Sequence, residues 1–286
     1  MENLHFILPE IFISLSIMFL LLLGVFKKNS SVLIHNLSLI ILFVAAVITF
    51  NETADVEKIF LFKGSVVIDY LSSFMKIITL LAAFIVLTIS LNYLKIYKIL
   101  KIEYPILILS SVLGMMVMIS SNDLIVFYMG LELQSLALYV LASFNRDNLK
   151  SSEAGLKYFV LSALSSGLLL YGCSLIYGFS GSTNFSIIAT QLSSDEYALT
   201  FGIVFILVGL AFKISAVPFH MWAPDVYEGA PTTVTLFFTM VPKIAALTVF
   251  VRFLYIPFLN LIDQWQTILV FLSIASMLFG AVAAIG

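Results

Sequence analysis

The sequence predicts an all-α, polytopic membrane protein, a helical bundle of about nine transmembrane helices. The chain has 286 residues, of which 62% are hydrophobic and only 10% are charged. Its mean hydropathy is +1.13, and its apolar residues form runs long enough to cross roughly 30 Å of hydrocarbon. A soluble domain is closer to half apolar and a quarter charged. This composition therefore cannot cover a surface that faces water.

Nine apolar runs, separated by polar loops, define the predicted helices. They are 8–26, 33–50, 70–93, 104–121, 123–143, 155–179, 198–221, 232–256 and 265–286. The stretches 56–69 and 187–192 are too short to span, and we expect them to lie at the membrane interface. The last run reaches the final residue without a polar flank, which predicts that the chain is part of a longer protein.

Three further features limit what the chain can be. No basic leader or small-residue cleavage site accompanies the first run, so we expect it to be a retained helix. Cys173 is the single cysteine, which excludes an internal disulfide and multi-cysteine metal or iron–sulfur sites; its apolar flanks predict a packed thiol. The small residues of the sixth helix are predicted to allow close helix packing, and they are Ala163, Gly167, Gly172 and Gly178.

Basic residues near helix ends predict the orientation, because they gather on the cytoplasmic side of a membrane. With the N-terminus outside, the inner loops carry eight of them and the outer loops three, so the N-terminus is predicted to face the periplasm. The inner residues are Lys27, Lys28, Lys95, Lys98, Lys101, Arg146, Lys150 and Lys157; the outer residues are Lys58, Lys63 and Arg252. Lys76 lies near a helix end, and its side chain is expected to reach the headgroups.

Glu132 is predicted to lie near the middle of the bilayer. It follows Asp123 by nine residues, which is about 13 Å along a helix. An isolated carboxylate at this depth stays protonated, whereas one opposite a lysine can ionise. Acidic residues inside membranes are rare and commonly functional. We therefore interpret Glu132 as a proton-carrying group rather than a structural, hydrogen-bonded acid.

Lys213 lies deep in the seventh run, and Pro218 follows it. Proline lacks an N–H and clashes with the carbonyl four residues back, at Ile214, so the helix is predicted to break just after the lysine. Unwound backbone inside a membrane needs partners from protein or water, which predicts a hydrated pocket at Lys213. An amine there can hold or release a proton as the charge of a neighbouring acid changes.

Two more residues extend this prediction. Lys243 follows Pro242 deep in the eighth helix. His220 comes seven residues after Lys213, and an unbroken helix would place both on one face; a proton relay and a simple hydrogen-bonding role remain open for it. The Pro- and Gly-rich segment 223–233 is predicted to be a tight connector in which Asp225 and Glu228 cap backbone groups.

A specific resemblance lies at 212–232, which reads Phe-Lys-Ile-Ser-Ala-Val-Pro-Phe-His-Met-Trp-Ala-Pro-Asp-Val-Tyr-Glu-Gly-Ala-Pro-Thr. This stretch closely resembles the antiporter-like membrane subunits of respiratory complex I, the bacterial NADH:quinone oxidoreductase. The segments 130–136 and 146–159 also match, and the resemblance extends over essentially the whole chain.

The resemblance implies both an architecture and a set of site residues. The family contains two inverted five-helix repeats, a plan known in other transporters. It would divide this chain into three N-terminal helices at 1–103, a first antiporter-type repeat with a broken helix at 104–256, and the truncated start of a second repeat at 257–286. The family's proton pathway corresponds here to Glu132, Lys213, Lys243 and His220. Its further charged residue, on a twelfth helix, is not in this sequence.

The implied function is proton translocation coupled to NADH oxidation and quinone reduction, in a multi-pass protein of the bacterial inner membrane. The implied partners are other complex I membrane subunits, the lipid bilayer and the transported protons, with no nucleic acid. No cofactor or metal is expected in this subunit, since NADH, FMN, iron–sulfur clusters and quinone belong to the rest of the complex. The sequence accordingly has no Gly-x-Gly-x-x-Gly, cysteine pair or Walker loop.

Two alternatives stay open at this stage. The chain could be a subunit of a multi-subunit cation/proton antiporter, which shares the buried Lys and Glu residues. It could also be a purely structural membrane subunit in which these charges form a static buried ion pair.

Overall fold

A computed structural model describes residues 4–27, 30–52, 58–191 and 196–285 of the chain. These residues form helices joined by short loops, together with one small hairpin. The helices are α1 (Leu8–Phe26), α2 (Ser31–Glu52), α3 (Tyr70–Ile96), α4 (Glu103–Ile119), α5 (Leu124–Ala142), α6 (Leu149–Ser180), α7 (Phe185–Gln191), α8 (Glu196–Ile214), α9 (Trp222–Gly229), α10 (Thr232–Tyr255) and α11 (Ile262–Ile285); the strands are β1 (Ile59–Leu61) and β2 (Val66–Ile68).

The predicted all-α membrane fold is confirmed. In the described part of the chain, 7 helices are long and apolar enough to cross a membrane, namely α1, α2, α3, α5, α6, α10 and α11. The shorter apolar helices α4 and α8 occupy the two remaining predicted spans. Every predicted span therefore contains a helix.

The main boundary corrections concern α6 and α8. The α6 helix begins at Leu149 rather than at 155, because the Asn148 side chain caps it by accepting a hydrogen bond from the Lys150 N–H at 2.9 Å. Lys150 and Lys157, predicted to lie in a loop, therefore belong to its first turns. The α8 helix ends at Ile214 and not at 221, so the predicted break after Lys213 is confirmed.

One end of the bundle is closed by three loops, and we call it the hairpin end: residues 59–68, 120–123 and 181–185. β1 pairs antiparallel with β2, Val66 bridges to Ser121, and Asp123 bridges to Asn184. The stretches expected at the membrane interface correspond to this hairpin and to α7. Residues 56, 57 and 192, the loop residues 53–55 and Lys28 lie outside the described residues.

Glycine contacts bring particular helices very close together. A Cβ atom at Gly130 would collide with the backbone of Met118 and Gly114 on α4, and one at Gly172 would collide with Gly202 on α8. The packing prediction is thus confirmed for Gly172. It is wrong for Gly167 and Gly178, which have no atom within 4 Å of such a Cβ, and for Ala163, which is exposed. Cys173 is buried and free, as predicted.

At the break after α8, the backbone N–H groups of residues 215–217 find hydrogen-bond partners within the protein. Ser215 takes a left-handed conformation (φ 62°), its N–H bonds to the Phe212 carbonyl, and the Ala216 N–H bonds to the Ala211 carbonyl. This is the pattern of a Schellman helix end, with serine where glycine is usual. Ser276 on α11 then accepts the freed Val217 N–H at 3.0 Å.

The segment predicted as a tight connector is the short helix α9, which ends before Pro231. Asp225 and Glu228 do not cap backbone groups as predicted. They form ion pairs with Lys157 (2.6 Å) and Lys150 (2.7 Å) of α6. These exposed pairs attach α9 to the start of α6.

Candidate functional site

Lys213 is buried at the C-terminal end of α8, with only 9% of its surface exposed. Its ammonium donates to the Ser135 hydroxyl on α5 at 2.8 Å and to the Ser162 hydroxyl on α6 at 2.7 Å. The Tyr139 hydroxyl also contacts Ser162, at 2.7 Å, and the ammonium lies 5.9 Å from the centre of the Tyr139 ring. The side chain therefore turns into the bundle and does not reach the bilayer surface.

Hydroxyl groups suit an amine that changes its protonation state. A serine hydroxyl accepts a hydrogen bond from an ammonium and can donate one to a neutral amine, whereas a carboxylate can only accept. Two hydroxyls stabilise the charged form less strongly than a direct ion pair would. Lys213 thus has partners in either state.

Glu132 lies on the same helix as Ser135, one turn before it, and is half-buried. Its Oε1 atom is buried without a hydrogen-bond partner. Among the described residues no direct ion pair joins Glu132 to Lys213, although the carboxyl group is near enough to act on the ammonium electrostatically.

A continuous row of aromatic rings connects Lys213 with Lys243. Neighbouring ring centres are 5.0 Å apart from Tyr139 to Tyr158, 4.6 Å from Tyr158 to Trp222 and 5.8 Å from Trp222 to Tyr227. The Lys243 ammonium lies 5.6 Å from the Tyr227 ring. Each end of the row therefore makes a cation–π contact, Tyr139 with Lys213 and Tyr227 with Lys243.

His220 lies in the non-helical segment between α8 and α9, half-buried, with its ring 4.5 Å from that of Phe279 on α11. The chain leaves the helix at Ser215, so the expected common face with Lys213 does not exist. Within the described residues no hydrogen bond joins His220 to either lysine, and its Nδ1 atom is buried without a partner. A hydrated pocket at Lys213 stays a prediction, because Ser276 and Trp222 already satisfy backbone groups at the break.

The expectation that Lys76 reaches the headgroups is wrong. Lys76 is 2% exposed, and its ammonium pairs with Glu10 of α1 at 2.5 Å. Sequence reasoning also missed Ser135, Ser162 and Tyr139, because hydroxyl side chains are common in membrane helices and bear no charge signal. Glu10 could have been recognised from the sequence as a candidate partner for a buried cation, since it is a carboxylate in the first turn of an apolar run.

The fold and the site define a class: polytopic α-helical membrane proteins in which a broken helix carries a buried, hydroxyl-bound lysine. The family is shown by a family model that matches residues 121–286. The chain belongs to the family described as NADH:quinone oxidoreductase/Mrp antiporter, TM.

The chain is similar to curated proteins named NADH-quinone oxidoreductase subunit N. The chain is 75% identical over 286 residues to NADH-quinone oxidoreductase subunit N of Pelagibacter ubique. The aligned region covers 100% of this chain and 60% of that relative. It is 53% identical over 283 residues to subunit N of Parvibaculum lavamentivorans, covering 98% of this chain and 58% of that protein. The chain thus spans about 60% of the length of the curated relatives it matches.

Solved structures show the same fold. A chain of respiratory complex I from Thermus thermophilus matches with a TM-score of 0.74 at 30% identity, covering 85% of this chain and 52% of that one. A chain of the Mrp complex from a Dietzia species matches with a TM-score of 0.83 at 22% identity, covering 99% and 55%. The second match concerns the fold alone.

Proposed function

We propose that the chain belongs to a proton-translocating membrane subunit of bacterial NADH:quinone oxidoreductase, in which Glu132, Lys213, Lys243 and His220 form the proton pathway. The protein would lie in the inner membrane, with its N-terminus facing the periplasm and other membrane subunits of the complex as partners. The names of its relatives, NADH-quinone oxidoreductase subunit N, support this proposal. NADH, flavin, iron–sulfur clusters and quinone would be bound by other subunits.

The observation that carries the proposal is the position of Lys213, buried at a helix break and held by two hydroxyls near Glu132. When Glu132 is ionised, its charge favours the ammonium form of Lys213. When a proton neutralises Glu132, that support is lost and Lys213 releases its own proton more readily. The released proton would move past Ser162 and Tyr139 towards Lys243.

The proposed regions follow the helices. Residues 1–103 contain α1 to α3, residues 104–256 would be the first antiporter-type repeat with the broken α8, and residues 257–286 would start a second repeat. A static ion pair between Glu132 and Lys213 is disfavoured, since the lysine bonds to serines instead. A cation/proton antiporter remains the second candidate, because the family description includes both kinds of protein.

The test replaces Lys213→Met and, separately, Glu132→Gln in the full-length subunit within the assembled complex. Proton transfer through this subunit should slow by about 100-fold or more, since a group that exchanges the proton is removed. The measurement is the number of protons pumped per NADH oxidised in membrane vesicles. NADH oxidation by an artificial electron acceptor should survive, because the NADH site lies elsewhere.

Lys150→Met is the matched control, since Lys150 forms an ion pair but its side chain is 70% exposed. It should pump normally. An assembled Lys213→Met complex with the native pumping ratio would reject the pathway. Proton movement driven by an imposed cation gradient without NADH would favour the antiporter instead.

A further inference from the structure

A second buried pair of opposite charges lies far along the chain from Lys213, between α1 and α3. The Lys76 ammonium contacts Glu10 Oε1 at 2.5 Å, and the side chains are only 3% and 9% exposed. The pair lies in the first turn of α1 and the second turn of α3. Because α3 begins directly after β2, the pair lies towards the hairpin end.

This pair is incompletely satisfied. Glu10 is only 7% exposed, and its Oε2 atom is buried without a hydrogen-bond partner. A buried ion pair is stable only when its remaining lone pairs and protons also find partners. The free oxygen therefore marks a place where a proton or a water molecule would bind favourably.

A third charged group stands beside the pair. Glu52 is half-buried and is the last residue of α2. The α2 helix packs against both α1 and α3 and runs opposite to them, so its end lies beside their first turns, where the charges of Glu10 and Lys76 act on Glu52. Two carboxylates and one ammonium carry a net charge of −1, which apolar surroundings disfavour. One added proton on either carboxyl makes the cluster neutral. The cluster can therefore alternate between two states that differ by a single proton.

Among the described residues at this end, Asp69 and Arg252 form a separate pair, and Asp123 accepts a hydrogen bond from the Thr183 hydroxyl at 2.6 Å. His5, Lys58 and Lys63 also lie at this end of the fold. Arg252 of α10 donates to Asp69, the N-cap of α3, at 2.7 Å. Arginine does not release its proton in proteins, so this pair stays charged. Within the Glu10, Lys76 and Glu52 cluster, the two carboxyl groups are the ones that can take up a proton.

We propose that Glu10, Lys76 and Glu52 form a second proton-binding site, distinct from Lys213, that exchanges one proton at the hairpin end of α1 to α3. The proposal rests on the proposed proton-translocating function. A proton that reaches Glu52 or Glu10 converts one carboxylate to a carboxylic acid, while Lys76 keeps its ammonium form. Release of that proton restores the carboxylate, so the cluster gains and loses one positive charge per cycle.

The rival explanation is a static clamp, in which the Glu10–Lys76 pair only fixes α1 to α3. Glu52→Gln separates the two explanations. It leaves the Glu10–Lys76 pair intact, and it removes the second carboxyl group, which gives the cluster its net charge of −1. In the full-length subunit of the assembled complex, we expect fewer protons pumped per NADH oxidised. The infrared signal of a carboxyl that changes protonation during turnover should shrink as well.

A second variant removes the pair itself, Glu10→Leu combined with Lys76→Met, which replaces it by apolar side chains of similar size. A clamp tolerates such a swap, whereas a proton site loses function. Glu228→Gln, in an exposed pair, is the control. Native pumping ratios in both Glu52→Gln and the double variant would overturn the proposal. If Lys213→Met also pumps normally, the proposed function fails with it; if Lys213→Met alone loses pumping, only the second site is rejected.

Discussion

Lys213 is surrounded by hydroxyl groups, and this distinguishes it from the other buried cations. Lys76 and Arg252 each contact a carboxylate directly, whereas Lys213 contacts Ser135 and Ser162. A direct carboxylate partner holds a cation in its charged form. The hydroxyl partners leave Lys213 without a direct counter-ion, as the proposed proton exchange with Glu132 requires.

Removal of one hydroxyl should therefore weaken the charged form of Lys213. In Ser162→Ala, the ammonium loses one of its two partners, and a hydrogen bond to a charged group contributes about 1.5–3 kcal/mol. We expect slower proton pumping by the assembled complex in membrane vesicles with little change in assembly. Ser166→Ala, on the same helix, is the control because Ser166 is buried but its hydroxyl has no hydrogen-bond partner. Equal pumping by the two variants would exclude a role for Ser162.

At the scale of the elements, composition and one proline predict much of the fold. Each apolar run contains a helix, and Pro218 correctly predicts the break after Lys213. The start of α6 could not be predicted from the apolar run, since it depends on the Asn148 cap. Hydrophobicity locates a membrane span but does not determine the residue at which its helix begins or ends.

The contact between α4 and α5 positions Glu132 and Ser135, and it depends on glycine. Gly130→Ala would place a Cβ atom against the backbone of Met118 and Gly114. Helix backbones cannot yield as a flexible side chain does, so we expect a loss of about 1–3 kcal/mol, as for overpacked cores. The measurement is the unfolding free energy of the full-length protein in detergent.

Gly167→Ala is the matched control for this contact. It also replaces a mid-helix glycine, but open space surrounds the added methyl group. Alanine favours a helix over glycine by about 1 kcal/mol, so Gly167→Ala should be neutral or slightly stabilising. A Gly130→Ala protein as stable as this control would show that α4 and α5 can separate freely.

At the scale of the whole molecule, contacts between distant parts of the chain decide which charges are paired. Glu10 and Lys76 are 66 positions apart, and Asp69 and Arg252 are 183 apart. Sequence spacing within one helix predicts neighbours on that helix, but it says nothing about partners on another. Sequence spacing therefore misplaces Lys76 at the headgroups, and it predicts the charged site residues without the serines that bind Lys213.

The Asp69–Arg252 pair connects α3 to α10 and should contribute substantially to stability. The Arg252 side chain is 1% exposed and that of Asp69 is 23% exposed. Asp69→Asn keeps an N-cap for α3 but leaves a buried guanidinium without its counter-ion. Loss of one partner of a buried pair costs about 3–5 kcal/mol, and we expect the lower end because Asp69 is partly exposed. Glu228→Gln, in an exposed pair, should change stability by at most about 1 kcal/mol.

The Asp69–Arg252 pair also predicts that the free energy of unfolding depends on pH. Burial alone would raise the pKa of Asp69, but the hydrogen bond and charge of Arg252, together with hydrogen bonds from Ser72, outweigh burial and hold the pKa below the ordinary value of 3.8. Because the folded pKa is the lower one, the pair contributes its full stability above 3.8 and loses it as the pH falls through the folded pKa. The difference in unfolding free energy between native protein and Asp69→Asn should therefore be constant near neutral pH and shrink in acid. A difference that stays constant at low pH would mean that the charge of Asp69 does not stabilise the fold.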